Sequence, residues 1–95
     1  MRAKKVDDNQ KALVRQMRQI PGLTVAHTHT IGQGFPDVVI AFRGINYLLE
    51  IKDPSKPPSA RKLTPDEIAF HQNWTGQIAT VMTIDDVLNL INPLK

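Results

Sequence analysis

The sequence contains no cysteine, and aromatic residues make up only 5% of its 95 residues. Without cysteine there is no disulfide framework, no thiolate nucleophile and no cysteine-ligated zinc, and we expect a reducing, cytoplasmic location. No apolar run approaches the roughly 20 residues of a membrane-spanning helix, and the polar, basic beginning lacks the apolar segment of a secretory signal. We therefore expect one domain spanning residues 1–95, with no membrane partner and no organic cofactor.

Positive charge is concentrated in two stretches. Twelve lysines and arginines against nine acidic residues give a net charge of +3. The basic residues concerned are Arg2, Lys4, Lys5, Lys11, Arg15 and Arg18 near the beginning, and Lys56, Arg61 and Lys62 in a later loop. Local positive charge of this kind favours DNA binding. The alternative is a solvated helix face and a solubilising loop.

Hydrophobic periodicity and turn residues predict the element order α-β-β-β-α-β-α. The predicted ranges are a helix at 8–20, a strand at 23–30, a hairpin with strands at 38–42 and 47–52, a helix at 64–76, a strand at 77–82 and a helix from 83 to about 91. Because a tight turn joins the central strands, the sheet must be mixed rather than purely parallel. The expected fold is a small α/β domain, a mixed central sheet flanked by helices, with a site at one edge of the sheet.

The predicted hairpin joins Asp37, the last residue of a Gly-Phe-Pro-Asp sequence, to a Glu-Ile-Lys sequence at 50–52. Period-two alternation places Glu50 and Lys52 on one face of the second strand. If the hairpin closes around positions 44 and 45, Asp37 lies opposite Lys52. Glu50 is then one diagonal step away, with roughly 5–8 Å between side-chain roots.

Two carboxylates at the end of an apolar hairpin repel each other unless a cation lies between them. Mg²⁺ usually takes one or two protein carboxylates and keeps positions for water and phosphate oxygens, and Mn²⁺ accepts similar ligands. Lys52 adds a positive donor for an attacking water or a transition-state phosphate. Asp37, Glu50 and Lys52 therefore indicate metal-dependent phosphodiester hydrolysis. The alternative is a surface ion pair between Glu50 and Lys52, with Asp37 only beginning a strand.

The order Gly-x-Pro-Asp, hairpin, Glu-x-Lys resembles the PD-(D/E)XK nuclease superfamily, whose fold is restriction-endonuclease-like. More narrowly, it resembles the phage and bacterial VRR-NUC (virus-type replication-repair nuclease) domains, which are similar in fold to Holliday-junction resolvases. The similarity covers nearly the whole chain, including Asp-Asn-Gln at 8–10, Ile-Gly-Gln-Gly at 31–34 and Pro-Pro-Ser-Ala-Arg-Lys-Leu-Thr at 57–64.

The resemblance implies an endodeoxyribonuclease that acts on duplex or branched DNA during replication or repair in a bacterial or phage-infected cell. It implies that Asp37, Glu50 and the carbonyl of Ile51 bind Mg²⁺ or Mn²⁺, and that Lys52 acts on the water. Gln10 stands where many relatives carry a glutamate near the metal. Its amide can still orient a metal-bound water, so we expect it to support the outer shell of the site.

Two further positions depart from the family pattern. Glu67 stands where relatives commonly have a glutamine, and Met82 lies near the place of an arginine. Because Glu67 follows Thr64 by three residues, the sequence predicts a capping box rather than a catalytic role. Asp85 and Asp86 are expected to interact with the positive end of the last helix rather than with a metal.

The segment before Asp37 is predicted to contact DNA. His29 lies where it can reach a phosphate, although a hydrogen-bonded structural histidine is the alternative. Gly32 and Gly34 suit a tight turn that lets the DNA backbone approach. Lys56, Arg61 and Lys62 complete the predicted DNA contacts.

Two other functions remain open from the sequence. The chain could be a non-catalytic DNA-binding module of the same fold, or a protein-interaction subunit of a replication complex. A homodimer is expected because a small core gains stability by pairing. Trp74, Phe70 or Phe42 are candidates for its interface, and burial of these aromatics within the monomer is the alternative.

Overall fold

The structure is a computed structural model and describes residues 6–92. The predicted basic residues Arg2, Lys4 and Lys5 lie outside this range. The elements, in chain order, are α1 (Asp8–Met17), β1 (Leu23–His27), β2 (Val38–Phe42), β3 (Ile45–Ile51), α2 (Pro65–Asn73), β4 (Ile78–Val81) and α3 (Ile84–Ile91). This is the predicted α-β-β-β-α-β-α order. The loop before α2 also contains a short 3-10 turn at Pro58–Ala60, which the sequence analysis did not predict.

The four strands form one mixed sheet in the order β1-β2-β3-β4. The first three strands are antiparallel, and β4 pairs parallel to β3 because α2 carries the chain back to the starting end of the sheet. The α/β fold class, with helices beside a mixed sheet, is confirmed. β2 and β3 are the central strands.

The hydrophobic core lies between the sheet and the pair α1 and α3. Fully buried side chains from these elements include Leu13, Met17, Ile40, Leu49 and Val87. By contrast, the only buried residue of α2 is Glu67, which is charged. Within residues 6–92, no helix has the length and apolarity needed to cross a membrane.

The central hairpin closes one residue earlier than predicted. Its turn consists of Arg43 and Gly44, whose φ angles are 53° and 82°. Two consecutive left-handed residues form the kind of tight turn whose twist matches that of the strands. Val38 therefore pairs with Leu49. Asp37 consequently lies beside Glu50 rather than opposite Lys52, and the site is at the end of the two central strands, not at an edge of the sheet.

Several element boundaries are shorter than predicted. α1 ends at Met17 because the chain turns before Pro21 and Gly22. β1 ends at His27, and the backbone N–H of Ile31 then donates to the carbonyl of Thr28 in a turn. The hydrophobic period located these elements correctly but could not show where turns would replace helix or strand.

One predicted side-chain placement is wrong, and Phe42 follows the alternative of burial within the monomer. The hydrophobic period of the last helix predicts that Val87, Leu88 and Ile91 point inward. Leu88 is instead 37% exposed, whereas Leu90 packs against the core. Phe42 is buried within the core, where β1 and β2 pair, and so cannot contribute area to a dimer interface. Trp74 is 41% exposed and remains a candidate for an external contact.

Candidate active site

A cleft of about 280 Å³ opens where β2 and β3 end. It is lined by Asp7, Gln10, Asp37, Glu50, Ile51, Lys52, Asp53, Lys56, Ala60 and Glu67. All the residues predicted to carry catalysis or bind metal are among them. The helix α1, the central hairpin, the loop after β3 and the first turn of α2 each contribute, so the cleft exists only when these four segments are assembled.

Asp37 is held rigidly at the start of β2. Its backbone N–H donates to the carbonyl of Leu49 at 3.0 Å, and its own carbonyl accepts from the backbone N–H of Thr28 at 2.9 Å. One side-chain oxygen, Oδ2, accepts a hydrogen bond of 2.8 Å from the backbone N–H of Ile51. The side chain is therefore oriented by strand β3, the strand that also carries Glu50.

Glu50 is a buried carboxylate with incomplete hydrogen bonding. Its exposed fraction is 3%, its Oε2 lies 3.5 Å from Lys52 Nζ, and its Oε1 has no hydrogen-bond partner. Burial, reinforced by the nearby charges of Asp37 and Glu67, raises the pKa of Glu50 from 4.5 to about 8. The ionised form of Glu50 thus lacks sufficient compensation from the protein alone.

Lys52 lies between two glutamates. Its Nζ is 3.0 Å from Glu67 Oε1 and 3.5 Å from Glu50 Oε2. Burial alone would lower the pKa of Lys52, but the hydrogen bond and charge of Glu67, together with Glu50, outweigh it and raise the pKa. The side-chain amide of Asn9 also donates to the carbonyl of Lys52 at 2.9 Å, which ties α1 to this end of β3. Lys52 is therefore a fixed ammonium group.

Glu67 has two roles at once. The predicted capping box is confirmed, since Glu67 N donates to Thr64 Oγ1 at 3.2 Å and Thr64 N donates to Glu67 Oε1 at 2.9 Å. The same Oε1 accepts from Lys52 at 3.0 Å. Burial opposes ionisation, but the hydrogen bonds from Thr64 and Lys52 prevail and lower the pKa of Glu67. The ion pair of Glu67 with Lys52 is not predicted by the local sequence.

Gln10 reaches the cleft from α1. Its backbone N–H donates to the Asp7 carboxylate at 2.8 Å, which caps the helix. Its side chain is 5% exposed, and its amide nitrogen, Nε2, has no hydrogen-bond partner. A buried amide without a partner is unusual unless water or another ligand completes its hydrogen bonding. The predicted placement of Gln10 beside Asp37 and Glu50 is found.

The predicted basic contacts divide into those near the cleft and those away from it. Lys56 lines the cleft. Arg61 instead donates to the sulfur of Met82 at 3.6 Å. Lys62 is exposed and lies outside the cleft lining. Of this set, only Lys56 is positioned next to the carboxylates.

The segment before Asp37, which is predicted to contact DNA, lies outside the lining of the cleft. His29 does not line the cleft; its ring meets that of His27 edge-on, with centroids 5.7 Å apart. Gly34 has a φ of 83°, and a Cβ atom at this position would overlap the carbonyl oxygen of Asp66. Gly34 thus permits close packing of the turn on α2. Gly32, by contrast, has a φ of 84° and faces open space.

The donor set fits a hard divalent cation held by few protein ligands. Within residues 6–92, no three His, Asp or Glu side chains are grouped as an all-protein metal site. Mg²⁺ commonly uses only one or two carboxylates and completes its shell with water and phosphate oxygens. Asp37 and Glu50 form such a pair, and the unpartnered Glu50 oxygen is an acceptor that a hydrated cation would satisfy. The unpartnered Gln10 nitrogen is a donor, so an acceptor such as a phosphate oxygen beside the cation would satisfy it.

The cleft as a whole is acidic. Five carboxylates line it, from Asp7, Asp37, Glu50, Asp53 and Glu67, against two ammonium groups, from Lys52 and Lys56. The basic stretches of the sequence therefore do not make the interior of the cleft positive. A phosphate group would be repelled from this cleft unless a cation were bound with it.

Comparisons of the chain with protein-family models, curated proteins and solved structures gave no match. Support for a function therefore comes from the cleft and from the motifs around it.

Proposed function

We propose that this protein is an endodeoxyribonuclease that uses Mg²⁺ or Mn²⁺ to hydrolyse phosphodiester bonds, with branched, flap or junction DNA as its substrates. The observation that supports this most strongly is the buried Glu50 carboxylate beside Asp37, with one oxygen that no protein group satisfies. Burying such a charge is costly unless a cation compensates it. The resemblance of the motif to PD-(D/E)XK nucleases points to the same chemistry.

The residues of the cleft have distinct roles in this proposal. Asp37, Glu50 and the carbonyl of Ile51 would hold the metal, and Gln10 would orient water in its outer shell. A bound divalent ion supplies a water of lowered pKa and neutralises charge on the phosphate. Lys52 donates a hydrogen bond to the attacking water or to the phosphate as its negative charge grows. The capping box of α2 fixes Glu67, and through it the position of the Lys52 ammonium.

A non-catalytic DNA-binding module is the second candidate function. It is favoured by the ion pair between Lys52 and Glu67, which at 3.0 Å engages the ammonium group with a protein carboxylate. It is disfavoured by the acidity of the cleft, since a surface that only binds DNA has no use for five carboxylates at its centre. The balance supports a metal-dependent enzyme.

The decisive experiment is a cleavage assay over a panel of a four-way junction, a flap, a nicked duplex and an unbroken duplex. We expect cutting in Mg²⁺ or Mn²⁺, none in EDTA, and none with Glu50→Ala. Asp85→Asn is the matched control, because Asp85 is an exposed carboxylate at the start of α3, outside the cleft. This variant should cut at the wild-type rate.

Two results would refute the enzyme. One is the absence of cutting on every substrate by protein whose melting temperature does not respond to Mg²⁺. The other is cutting that survives Glu50→Ala. Salt-dependent DNA binding without any cutting would support the binding module instead.

We also propose that the protein acts as a homodimer, because two cleavage centres related by a two-fold axis would cut opposite strands of a branched substrate. Light scattering should then give twice the 10.7 kDa chain mass at micromolar concentration. A monomeric mass both free and on a junction would exclude paired cutting.

A further inference from the structure

A second hollow, of about 430 Å³, lies on α2 next to the glycine-containing turn. Its lining consists of Gln33, Asp66, Ala69, Phe70, Asn73 and Trp74. None of the residues assigned to metal binding or hydrolysis belongs to it. The hollow therefore has no role in the proposed hydrolysis, and its own ligand has to be identified.

The floor of the hollow is a supported aromatic platform. The rings of Phe70 and Trp74 are stacked, with centroids 5.3 Å apart and planes 17° apart. Phe35 packs against both, at 5.1 Å from Phe70 and 6.3 Å from Trp74. Phe35 and Phe70 are half-buried, whereas Trp74 is 41% exposed. The indole is thus fixed in place by two rings while part of it stays open to solvent.

The polar groups around the platform suit a neutral heterocycle better than a phosphate. Gln33 and Asn73 offer amide donors and acceptors, and Asp66 offers an acceptor. Within residues 6–92, neither a lysine nor an arginine lines the hollow. The edges of nucleobases present mixed donors and acceptors, which amide and carboxylate side chains recognise. A phosphate would meet the negative charge of Asp66 and no positive charge in this lining.

The hollow lies close to the catalytic cleft. Glu67 and Trp74 are seven residues apart, which is two helical turns, so they lie on one side of α2 about 10 Å apart. Phe35 precedes the metal-binding candidate Asp37 by only two residues. A DNA strand advances about 3.4 Å per stacked nucleotide. A base in the hollow would therefore belong to a nucleotide within a few positions of the scissile phosphate.

The exposed area is too small to explain the hollow as a dimer interface. A stable interface buries roughly 800 Å² on each partner. A tryptophan buries at most about 250 Å², so its exposed 41% amounts to roughly 100 Å². The other exposed apolar residue of α2, Ile68, follows Glu67 by one position and so points about 100° away from this side of the helix. One stacked base matches the available area.

We propose that this hollow binds a single unpaired nucleobase of the DNA substrate, stacked on Trp74 and contacted by Gln33 and Asn73. The proposal rests on the proposed nuclease function, and it narrows the substrate to DNA that has an unpaired base within a few nucleotides of the cut. Such a base is available in flaps and at branch points, and must be extruded from an intact duplex.

Intrinsic fluorescence provides a direct test, because Trp74 is the only tryptophan of the chain. The wild-type protein is titrated, in Ca²⁺ instead of Mg²⁺ to suppress cutting, with a single-stranded oligothymidine and with an abasic oligonucleotide of equal length and charge. We expect the oligothymidine to quench the fluorescence and the abasic strand to leave it unchanged. Equal quenching by both strands would overturn the proposal, since phosphate contacts alone would then account for it.

Substitutions test the same contact by anisotropy of labelled single strands. Stacking of a base on an aromatic ring suggests that Trp74→Leu should weaken binding by about 5- to 150-fold. Trp74→Phe should restore most of it, and the control Ile68→Ser should have no effect. If Trp74→Leu is folded, as shown by its melting curve, and binds single strands as tightly as wild type, the proposal is overturned. If Trp74→Leu does not fold, the fluorescence comparison of oligothymidine with the abasic strand still tests the proposal.

Cleavage assays separate this proposal from the nuclease proposal. We expect Trp74→Leu to cut a flap more slowly than wild type and to lose the preference for the flap over an intact duplex. If wild type cuts DNA without preferring unpaired bases, the base-binding proposal is overturned and the nuclease proposal is not. If Trp74 fluorescence is quenched only by strands that have bases, and no DNA is cut, base binding in the hollow is supported and the nuclease proposal is refuted. A dimer mass lost in Trp74→Leu, with DNA binding unchanged, would identify a second copy as the occupant.

Discussion

Glu50 at the end of β3 and Glu67 in the first turn of α2 both contact the ammonium group of Lys52, yet their surroundings have opposite effects. Burial and neighbouring carboxylates raise the pKa of Glu50 to about 8. Glu67 is also buried, but hydrogen bonds from Thr64 and Lys52 lower its pKa. The pKa values of the two glutamates thus shift in opposite directions. Protein groups donate hydrogen bonds to Glu67, whereas one oxygen of Glu50 has no hydrogen-bond partner.

This is the difference expected between a structural carboxylate and the metal-binding carboxylate proposed here. Glu67 gains its compensation from a helix cap and an ion pair, so it needs no external cation. Glu50 has one oxygen without a hydrogen-bond partner, and its contact with the Lys52 ammonium group does not offset the effects of burial and of the neighbouring carboxylates on its pKa.

Removing either metal-binding candidate should have the largest effect. Asp37→Ala and Glu50→Ala should each reduce the cleavage rate by about three or more orders of magnitude, and the double variant should be little worse than either, because the two carboxylates act as one unit. Single-turnover cleavage in Mg²⁺ measures this. Partial losses that multiply in the double variant would show that the carboxylates do not share a metal.

Lys52→Ala should reduce the cleavage rate by about 100-fold or more, the size expected when a transition-state donor is lost, while Mg²⁺ affinity changes little. Lys52→Arg should not restore the rate, because the planar guanidinium is larger than the ammonium and has a different geometry. Calorimetry of Mg²⁺ binding and cleavage kinetics separate the two effects. A wild-type rate in Lys52→Ala would remove this residue from the mechanism.

In EDTA, the stability of the protein should fall as pH rises between about 4.5 and 8. The folded-state pKa of Glu50 is about 8 against an ordinary 4.5, so the folded state holds a proton that the unfolded state releases. The stabilisation from this proton is complete below pH 4.5 and is lost as pH rises through 8. Its size should be on the order of a few kcal/mol.

Denaturant unfolding at several pH values measures this effect. Glu50→Gln should flatten the pH dependence and raise stability at pH 8, and Mg²⁺ should stabilise wild type but not this variant. A wild-type protein whose stability is independent of pH in EDTA would show that Glu50 is not an uncompensated carboxylate.

The smallest expected effect concerns Glu67. Glu67→Gln keeps an oxygen for the capping box but removes the negative charge beside Lys52, so DNA affinity should rise several-fold while stability falls by about 1 kcal/mol. Asp86→Asn is the matched control, since Asp86 closes the capping box of α3 outside the cleft. It should cost similar stability without changing DNA affinity. If Glu67→Gln and Asp86→Asn change DNA affinity equally, the Lys52–Glu67 ion pair has no influence on DNA binding.

The sequence allowed the fold class, the element order and the proximity of Asp37 and Glu50 to be predicted, because each depends on local signals. Alternation, turn residues and the Thr64-Pro65 helix start are all contained within a few neighbouring residues. The register of the hairpin was wrong by one residue because positions 43, 44 and 45 all offered a plausible turn. The register follows from the left-handed conformation of Arg43, which places the turn at positions 43 and 44.

The second role of Glu67 and the aromatic hollow could not be predicted in the same way. Glu67 satisfies every local requirement of a capping box, so nothing within α2 indicates that Lys52, 15 residues earlier, shares its carboxylate. The resemblance to nucleases with a glutamine at this position was the available signal. Likewise, Trp74 and Phe35 are distant in sequence, and only tertiary packing shows that they form one platform.

The hydrogen bond from the Ile51 backbone to the Asp37 carboxylate joins residues only 14 positions apart, within a single hairpin. Local hairpins of this kind form within microseconds, whereas the parallel pairing of β3 with β4 and the docking of α1 require contacts between distant segments. We therefore expect folding to bring the carboxylates of Asp37 and Glu50 together before the rest of the cleft covers them. If these carboxylates bind a divalent ion as proposed, the ion would offset their repulsion at this early stage, and added Mg²⁺ should speed refolding.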